Sequence, residues 1–337
     1  MTLAKYLLRK VVWYAVALLV AVFLNFLLPR LVPGNPVDAI VAQLMRGGSG
    51  VEGEQMQTIY QHYMAEFGLN EPMWKQFIIY VQNLLHGDLG TSFSLYPAKV
   101  APLISQALPW SIAIQLPAVL IGWLVGNVLG ALAAYKGGWL DSGAFIGSLF
   151  LTSMPYYCLA ILLLYLLAVT VEILPTGGGY SFGLTPELTP AFIADALHYY
   201  WLPFLSLVLI FIGGQAVGMR SMAIYENNSD YVNYSRGLGL ADARITRYIF
   251  RNAMLPQLTG LALSIGGLVG GALVTELVFS YPGIGSVLFN AIGTSDYPVV
   301  QAVTLIIAVA VLVANFLVEV AYGFVDPRIR AAATGDR

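Results

Sequence analysis

Six long, strongly apolar stretches of this chain carry no charged residue: 11–28, 112–134, 143–171, 199–219, 255–275 and 298–318. Crossing a bilayer core of about 30 Å takes about 20 helical residues. A backbone inside that core must also satisfy its N–H and C=O groups within itself. The expected architecture is therefore an all-α membrane protein with six transmembrane helices. Composition agrees, because 58% apolar against 10% charged residues excludes a soluble domain. The first stretch follows Lys5, Arg9 and Lys10 and so resembles a signal peptide, but no small-residue cleavage site precedes Arg30-Leu31-Val32-Pro33. It reads as a retained signal-anchor helix.

Orientation follows from the cations. With the N-terminus inside, the inner segments hold Lys5, Arg9, Lys10, Lys136, Arg220, Arg236, Arg244, Arg247, Arg251, Arg328, Arg330 and Arg337. The outer segments keep Arg30, Arg46, Lys75 and Lys99, a ratio of twelve to four that places both termini in the cytoplasm. The expected organisation is an N-terminal helix over 1–29 and an external segment of roughly eighty residues over 30–110. A five-helix core over 111–325 follows, carrying a cytoplasmic loop at 220–256, and a cytoplasmic tail closes the chain at 326–337.

In the external segment, Gly47, Gly48 and Gly50 mark a flexible break. Gly48-Ser49-Gly50 lies in a polar loop, which favours a linker over an intramembrane serine protease. Met73, Trp74, Phe77, Ile78, Val81, Leu84 and Leu85 then recur at helical spacing, with Lys75, Gln76, Gln82 and Asn83 around the rest of the wheel. That amphipathic helix suits a small external subdomain or the membrane surface equally.

Helices in lipid associate through close packing, so small residues four apart matter. Gly122, Gly126 and Gly130 are so spaced, as are Gly214 and Gly218, and Gly266 and Gly270 interleaved with Gly267 and Gly271. Such faces serve a packed bundle or a partner helix. Polar residues inside the stretches include Asn127, Gln215, Ser264 and Asn315, with Glu276 and Glu319 at helix ends. Cross-helix hydrogen bonds are the expected use of Asn127, Gln215 and Asn315. The lack of a mid-membrane carboxylate and of an evident inverted repeat disfavours an ion-coupled secondary transporter. His62, His86 and His198 are far apart and Cys158 is the lone cysteine, so neither a metal site nor a disulfide framework is expected. No serine, histidine and acid converge in the stretches as a membrane-embedded hydrolase requires.

None of the five lysines follows a glycine, which excludes a phosphate-binding loop ending Gly-Lys-Ser/Thr. Active transport by this chain would draw its force from another polypeptide, received at a cytoplasmic surface. The segment 220–256 suits that role. Gly237 and Gly239 permit a turn, and Asp242 falls in the first turn of a helix running to about Met254, where its charge complements the dipole. Arg244, Arg247 and Arg251 share one face of it, and Ile245, Tyr248 and Ile249 another. On charge alone, these arginines serve docking or orientation and lipid contact about equally.

The segment resembles the "EAA" loop of permease subunits of bacterial ATP-binding-cassette importers, in the branch handling peptides, nickel and related solutes. There the loop typically reads Tyr-Val-Arg-Thr-Ala-Arg-Ala-Lys-Gly-Leu, followed by Arg-Asn-Ala-Leu-Leu-Pro. Tyr231, Val232, Arg236, Gly239, Leu240, Arg251, Asn252, Ala253, Leu255 and Pro256 match, whereas Asn233, Tyr234, Ser235, Gly237 and Leu238 depart. Further similarity lies in Gly87-Asp88-Leu89-Gly90-Thr91-Ser92 and in Phe279-Ser280-Tyr281-Pro282-Gly283-Ile284-Gly285. Asp296-Tyr297-Pro298 and Tyr322-Gly323-Phe324-Val325-Asp326-Pro327-Arg328 extend it, and it begins at Pro33-Gly34-Asn35-Pro36.

The resemblance implies one of two permease subunits lining a shared pathway in the bacterial inner membrane. Its coupling loop would use Tyr231, Arg236, Gly239, Leu240, Asp242 and Arg244, with Arg251, Asn252, Pro256, Glu276, Pro282, Gly283, Gly285, Asp296, Tyr297, Pro298, Asp326, Pro327 and Arg328 as the remaining motif residues. Two cytoplasmic ATPase subunits would carry ATP and magnesium, and an extracytoplasmic solute-binding protein would deliver cargo. The chain itself would hold no cofactor, catalytic residue or metal, and no nucleic-acid partner is implied. Di- and oligopeptides are the commonest cargo of the branch, with nickel, glutathione and sugars as alternatives.

Overall fold

The computed structural model describes residues 3–31, 37–38, 41, 53–266 and 273–325. Apart from one antiparallel bridge between Thr91 and Lys99, every regular element among them is helical. The order begins with α1 (Leu3–Leu31), α2 (Gly53–Glu66), α3 (Met73–Leu85) and α4 (Val100–Lys136). Next come α5 (Gly138–Ser153) and α6 (Tyr156–Leu163), which runs on as a π-helix over Leu164–Thr170. The remainder are α7 (Pro190–Asn227), α8 (Asp230–Gly237), α9 (Asp242–Gly266), α10 (Leu273–Val278), α11 (Ile284–Gly293) and α12 (Tyr297–Val325).

Among the described residues four helices are long and apolar enough to cross a membrane: Leu8–Leu31, Val100–Lys136, Pro190–Asn227 and Tyr297–Leu317. The expected span over 143–171 is a pair of helices, Gly138–Ser153 and Tyr156–Thr170, bent by 99°. Pro155 is the cause. It lacks an N–H for the helical ladder, and it forces Met154 before it into an extended conformation (φ −80, ψ 132). Counting that pair as one span gives five. The fifth expected span, 255–275, straddles the end of α9 and the start of α10, and its residues 267–272, Gly267, Gly270 and Gly271 among them, lie outside the described residues. The break at 47–50 and the stretches 33–36 and 326–337 lie outside them too.

The chain divides into two compact units, residues 1–109, 283–316 and 322–337 in one and 110–282 and 317–321 in the other. In the first, Asn25 joins α1 to α12. Its Nδ2 donates to the Gln301 carbonyl at 2.7 Å and to the Tyr80 hydroxyl at 3.2 Å, while its Oδ1 accepts from the Thr304 hydroxyl. The amphipathic α3 packs on α1 through Phe77, whose ring meets those of Phe23 and Phe26 edge-on at 5.9 and 5.1 Å. Met73, Trp74, Ile78 and Leu85 of α3 stay exposed. Asp296, fully buried just before α12, gathers the turn 92–94: it accepts from the hydroxyls of Ser92 and Ser94 and from the backbone N–H groups of Phe93 and Ser94 at 3.0 Å each. A buried carboxylate is tolerated on such terms, and the positive end of the α12 dipole adds to them.

In the second unit, the glycine stripe of α4 settles the question of its partner. A Cβ at Gly126 would stand 2.6 Å from the Ile212 carbonyl and from the Gln215 Cβ. At Gly122 it would strike the Phe211 Cβ, and at Gly130 the Ala216 carbonyl. The stripe is a backbone-to-backbone seam with α7 inside this chain. Around it lie buried Ile114, Ala118, Phe204, Leu207, Val208 and Tyr281. The indole of Trp123 donates to the Gln257 carbonyl at 2.9 Å, tying α9 to the same helix. Asn127 departs from the cross-helix expectation, since its Nδ2 bonds the Trp123 carbonyl one turn back on its own helix at 2.7 Å. The Gly177-Gly178-Gly179 run lies against the turn 279–282, with the Gly178 N–H donating to the Phe279 carbonyl at 2.7 Å.

Gly126→Val is expected to destabilise the purified chain by about 1–3 kcal/mol through overpacking of this seam. Gly147→Ala, where an added Cβ meets nothing within 4 Å, is expected to be neutral or stabilising. Heating followed by size-exclusion chromatography measures both; equal survival of the two variants would show that the seam is not tight.

Candidate functional site

The segment 220–256 is built of three consecutive helical pieces. α7 continues to Asn227, and the Ser229 hydroxyl closes the bend by donating to the Glu226 carbonyl at 2.6 Å. α8 begins at Asp230 and ends with Arg236 in its last turn, each charge matched to its end of the dipole. After α8 the chain leaves by a Schellman arrangement: the Gly239 N–H bonds the Arg236 carbonyl at 3.0 Å, and the Leu240 N–H bonds the Ser235 carbonyl at 3.2 Å. Gly239 takes the left-handed conformation this closure needs, φ +72. Gly237, expected to share in the turn, lies within α8 instead, so Gly239 alone makes the reversal.

The reversal rests on its own small core. Ala223 of α7, Val232 of α8, and Ile245 and Ile249 of α9 are buried together, with Ala134 of α4, Tyr231, Leu240 and Phe250 packed around them. Leu240, the residue after Gly239, reaches this core and pins the turn. Tyr231 donates its hydroxyl to Glu226 Oε2 at 2.8 Å. Burial first, and then that carboxylate, push its phenol above the ordinary value, while a hydrogen bond with Asn252 pulls the other way. Two residues of the sequence motif, Tyr231 and Asn252, are thereby brought together.

Above the core lies an accessible surface. Tyr234 and Leu238 are 70% and 61% exposed, a large apolar area for a polar segment. Arg236, Arg244, Arg247, Arg251 and Asn252 are exposed around it, as are Asp242 in the first turn of α9 and Pro256 further along that helix. Arg236 is held by Asn227 Oδ1 at 2.7 Å. Lys136, Asn227, Arg236, Asp242 and Thr246 line a recess of about 510 Å³ beside the turn. Nothing here assembles a nucleophile with a base, and among the described residues no three His, Cys, Asp or Glu side chains meet as metal ligands. The arrangement is an exposed surface of apolar and charged side chains seated on a buried core.

The other motif residues fall elsewhere. Glu276 is buried in α10 and accepts from the Ser111 hydroxyl at 2.5 Å. Pro282 lies against Gly179, Gly283 caps α11, and Gly285 is buried in its first turn. Asp296 organises the turn 92–94, with Tyr297 and Pro298 opening α12 after it. Asp326, Pro327 and Arg328 lie outside the described residues. One positioning pair escaped sequence reading: Arg220 of α7 grips Asp141 of α5 through Nε and Nη2 at 2.5 and 2.6 Å and covers the Phe145 ring. The partners are 79 positions apart, and no local pattern announces them.

Comparison with known proteins bears on this surface. Residues 126–331 match the family described as binding-protein-dependent transport system inner membrane component. The di/tripeptide transport system permease protein of Pseudomonas aeruginosa is 33% identical over 322 residues, covering 91% of this chain and 93% of that protein. The dipeptide transport system permease protein of Escherichia coli is 32% identical over 329 residues, with coverage of 91% and 93%. The oligopeptide transport system permease protein of Bacillus subtilis is 28% identical over 329 residues, with coverage of 97% and 99%.

The left-handed turn yields a direct expectation. A β-branched side chain at φ +72 is strained by about 1–2 kcal/mol, so Gly239→Val should loosen the segment between Arg236 and Arg244. Gly237→Ala, in a helix with open space around it, should tighten α8 by up to about 1 kcal/mol. Trypsin cleavage rates of the detergent-solubilised chain should rise in the first variant and not in the second. Unchanged cleavage in Gly239→Val would contradict the assigned turn.

Proposed function

This chain belongs to the family of binding-protein-dependent transport system inner membrane components, multi-pass proteins of the bacterial inner membrane, and on that premise we propose that it is a permease subunit of an ATP-binding-cassette importer of di- and oligopeptides. With a second permease subunit it forms the translocation pathway. Two cytoplasmic ATPase subunits dock on the surface around Gly239, and an extracytoplasmic solute-binding protein delivers the peptide. The chain crosses the membrane six times with both termini in the cytoplasm, the segment 30–110 on the outer side and 220–256 on the inner side. This orientation is supported by the twelve-to-four distribution of cations. The peptide cargo is supported by the three relatives, whose names specify dipeptides, tripeptides or oligopeptides.

The observation that carries the reading is the turn at Gly239 with its exposed Tyr234 and Leu238, seated on a core shared by α4, α7, α8 and α9. A partner that presses on this turn presses on four helices at once. α7 is one helix over 38 residues, about 57 Å at 1.5 Å per residue, with Pro203 inside it, so displacement at its coupling end is carried along the helix as far as that proline. Alternating access then needs no covalent chemistry on this chain. ATP binding closes the ATPase dimer, the coupling surface follows, and the helices exchange outward for inward access. ATP shifts this equilibrium only through its different affinity for the two states of the ATPase dimer.

Reconstitution tests the proposal. Proteoliposomes holding both permeases and both ATPases should accumulate a labelled dipeptide when the binding protein is outside and ATP inside. The chain alone should neither hydrolyse ATP nor move the dipeptide. Uptake by the chain alone, driven by an ion gradient, would overturn the reading in favour of a secondary carrier.

A further inference from the structure

A cavity of about 400 Å³ lies where α1 ends in the first unit. Tyr80 and Asn83 of α3, Phe67, Phe93, and Tyr297 and Gln301 of α12 form much of its wall, and Arg30 of α1 lines it as well. The guanidinium of Arg30 is fixed in place. Its Nε donates to Gln76 Oε1 at 3.1 Å, its Nη1 to the Phe26 carbonyl at 2.9 Å, and its plane covers the Phe26 ring at 3.6 Å. An arginine carries five N–H donors, and these bonds use two of them.

No carboxylate among the described residues pairs with Arg30. The two acids that line the same cavity are engaged elsewhere. Glu66 accepts from the Tyr96 hydroxyl at 2.6 Å and pairs with His62 at 3.0 Å; Asp88 pairs with Lys99 at 3.3 Å. A half-buried cation left without an anion is costly. An arginine held by stacking and hydrogen bonds, with its remaining donors free, is the arrangement that receives a carboxylate or phosphate in a forked geometry. The aromatic walls suit an apolar body attached to that anion. Arg30 stands in the last turn of a helix able to cross a membrane, which sets the cavity at interfacial depth.

We propose that this cavity binds an oxyanion carried on an apolar body, with Arg30 as the residue that contacts the anion. Two sources share that chemistry: the phosphate of a membrane lipid, and the terminal carboxylate of a short peptide. The peptide source rests on the transport reading above, and the lipid source does not.

The full chain in neutral phosphatidylcholine nanodiscs provides the test. Phosphatidylglycerol retention is read by native mass spectrometry, and binding of the dipeptide Ala-Phe is read against its C-terminal amide by calorimetry. Saturable preference for phosphatidylglycerol over phosphatidylcholine identifies the lipid, and preference for Ala-Phe over its amide identifies the peptide. Either should fall about tenfold or more in Arg30→Gln and less in Arg30→Lys, which keeps the charge but loses the fork. Asn83→Trp, at an exposed position on the cavity wall, should weaken binding without disturbing the fold. No preference for either anionic probe, or full binding by Arg30→Gln, would overturn the site. Because these assays use no ATP, anion binding without ATP-driven uptake would discard the transport reading alone, and uptake without anion binding would discard the site alone.

Discussion

Two helices in a bilayer gain little from hiding apolar surface against each other, because lipid tails already cover it; what joins them is the closeness of their backbones. The seam of Gly122, Gly126 and Gly130 against Phe211, Ile212 and Ala216 provides that closeness in the second unit. Any side chain on those glycines would meet α7 at or inside van der Waals distance. The seam sets where the ends of α4 and α7 meet, and so where Ala134 and Ala223 stand. Val232, Ile245 and Ile249 complete the core those alanines begin, and the Gly239 turn is built on it. The surface around Gly239 therefore inherits its position from glycines along α4.

Three polar devices hold segments at defined points. The Arg220–Asp141 pair clamps α5 to α7 near the α7 end that carries Ala223. In the other unit, Asn25 links α1 to α12 by hydrogen bonds through both ends of its amide, and Asp296 ties the turn 92–94 to the start of α12. Polar side chains of this kind are scarce in the long apolar helices, and each is placed where two segments must keep register. The Gly239 reversal differs in character. Its hydrogen bonds are backbone bonds, Tyr234 and Leu238 are exposed beside it, and Leu240 ties it to the small core. It is firm enough to present a shape and accessible enough to be gripped.

Much of this was legible in the sequence because the signals are local. Long uncharged runs announce helices that fit a bilayer, the spacing of Phe77 and its neighbours announces an amphipathic helix, and Asp242 marks the start of α9. The family likeness at 231–256 rested on residues that the structure spreads from α8 through the Gly239 turn to the middle of α9. What was not legible depends on contacts distant in sequence. The bend at Pro155 competes with an apolar run that suggests continuity, and in a bilayer a proline break is allowed if its surroundings satisfy the freed groups. α8 is short and polar and carries no periodic stripe, so its packing through Val232 becomes visible only in three dimensions. Gly237 and Gly239 look alike in sequence, yet only the hydrogen bonds to Arg236 and Ser235 decide which one turns. The partners of Arg220 and Asp296 lie 79 and about two hundred positions away, beyond any local pattern.

The central claim is that a separate, force-producing protein grips the turn at Gly239. A photocrosslinking amino acid in place of Leu238, whose side chain is 61% exposed at that turn, tests it most directly. In cells co-expressing the complex, irradiation should join this chain to an ATPase subunit, and the same probe at exposed Tyr165, in the π-helix, should not. Absence of an ATPase adduct at Leu238 in a transport-competent complex would contradict the account.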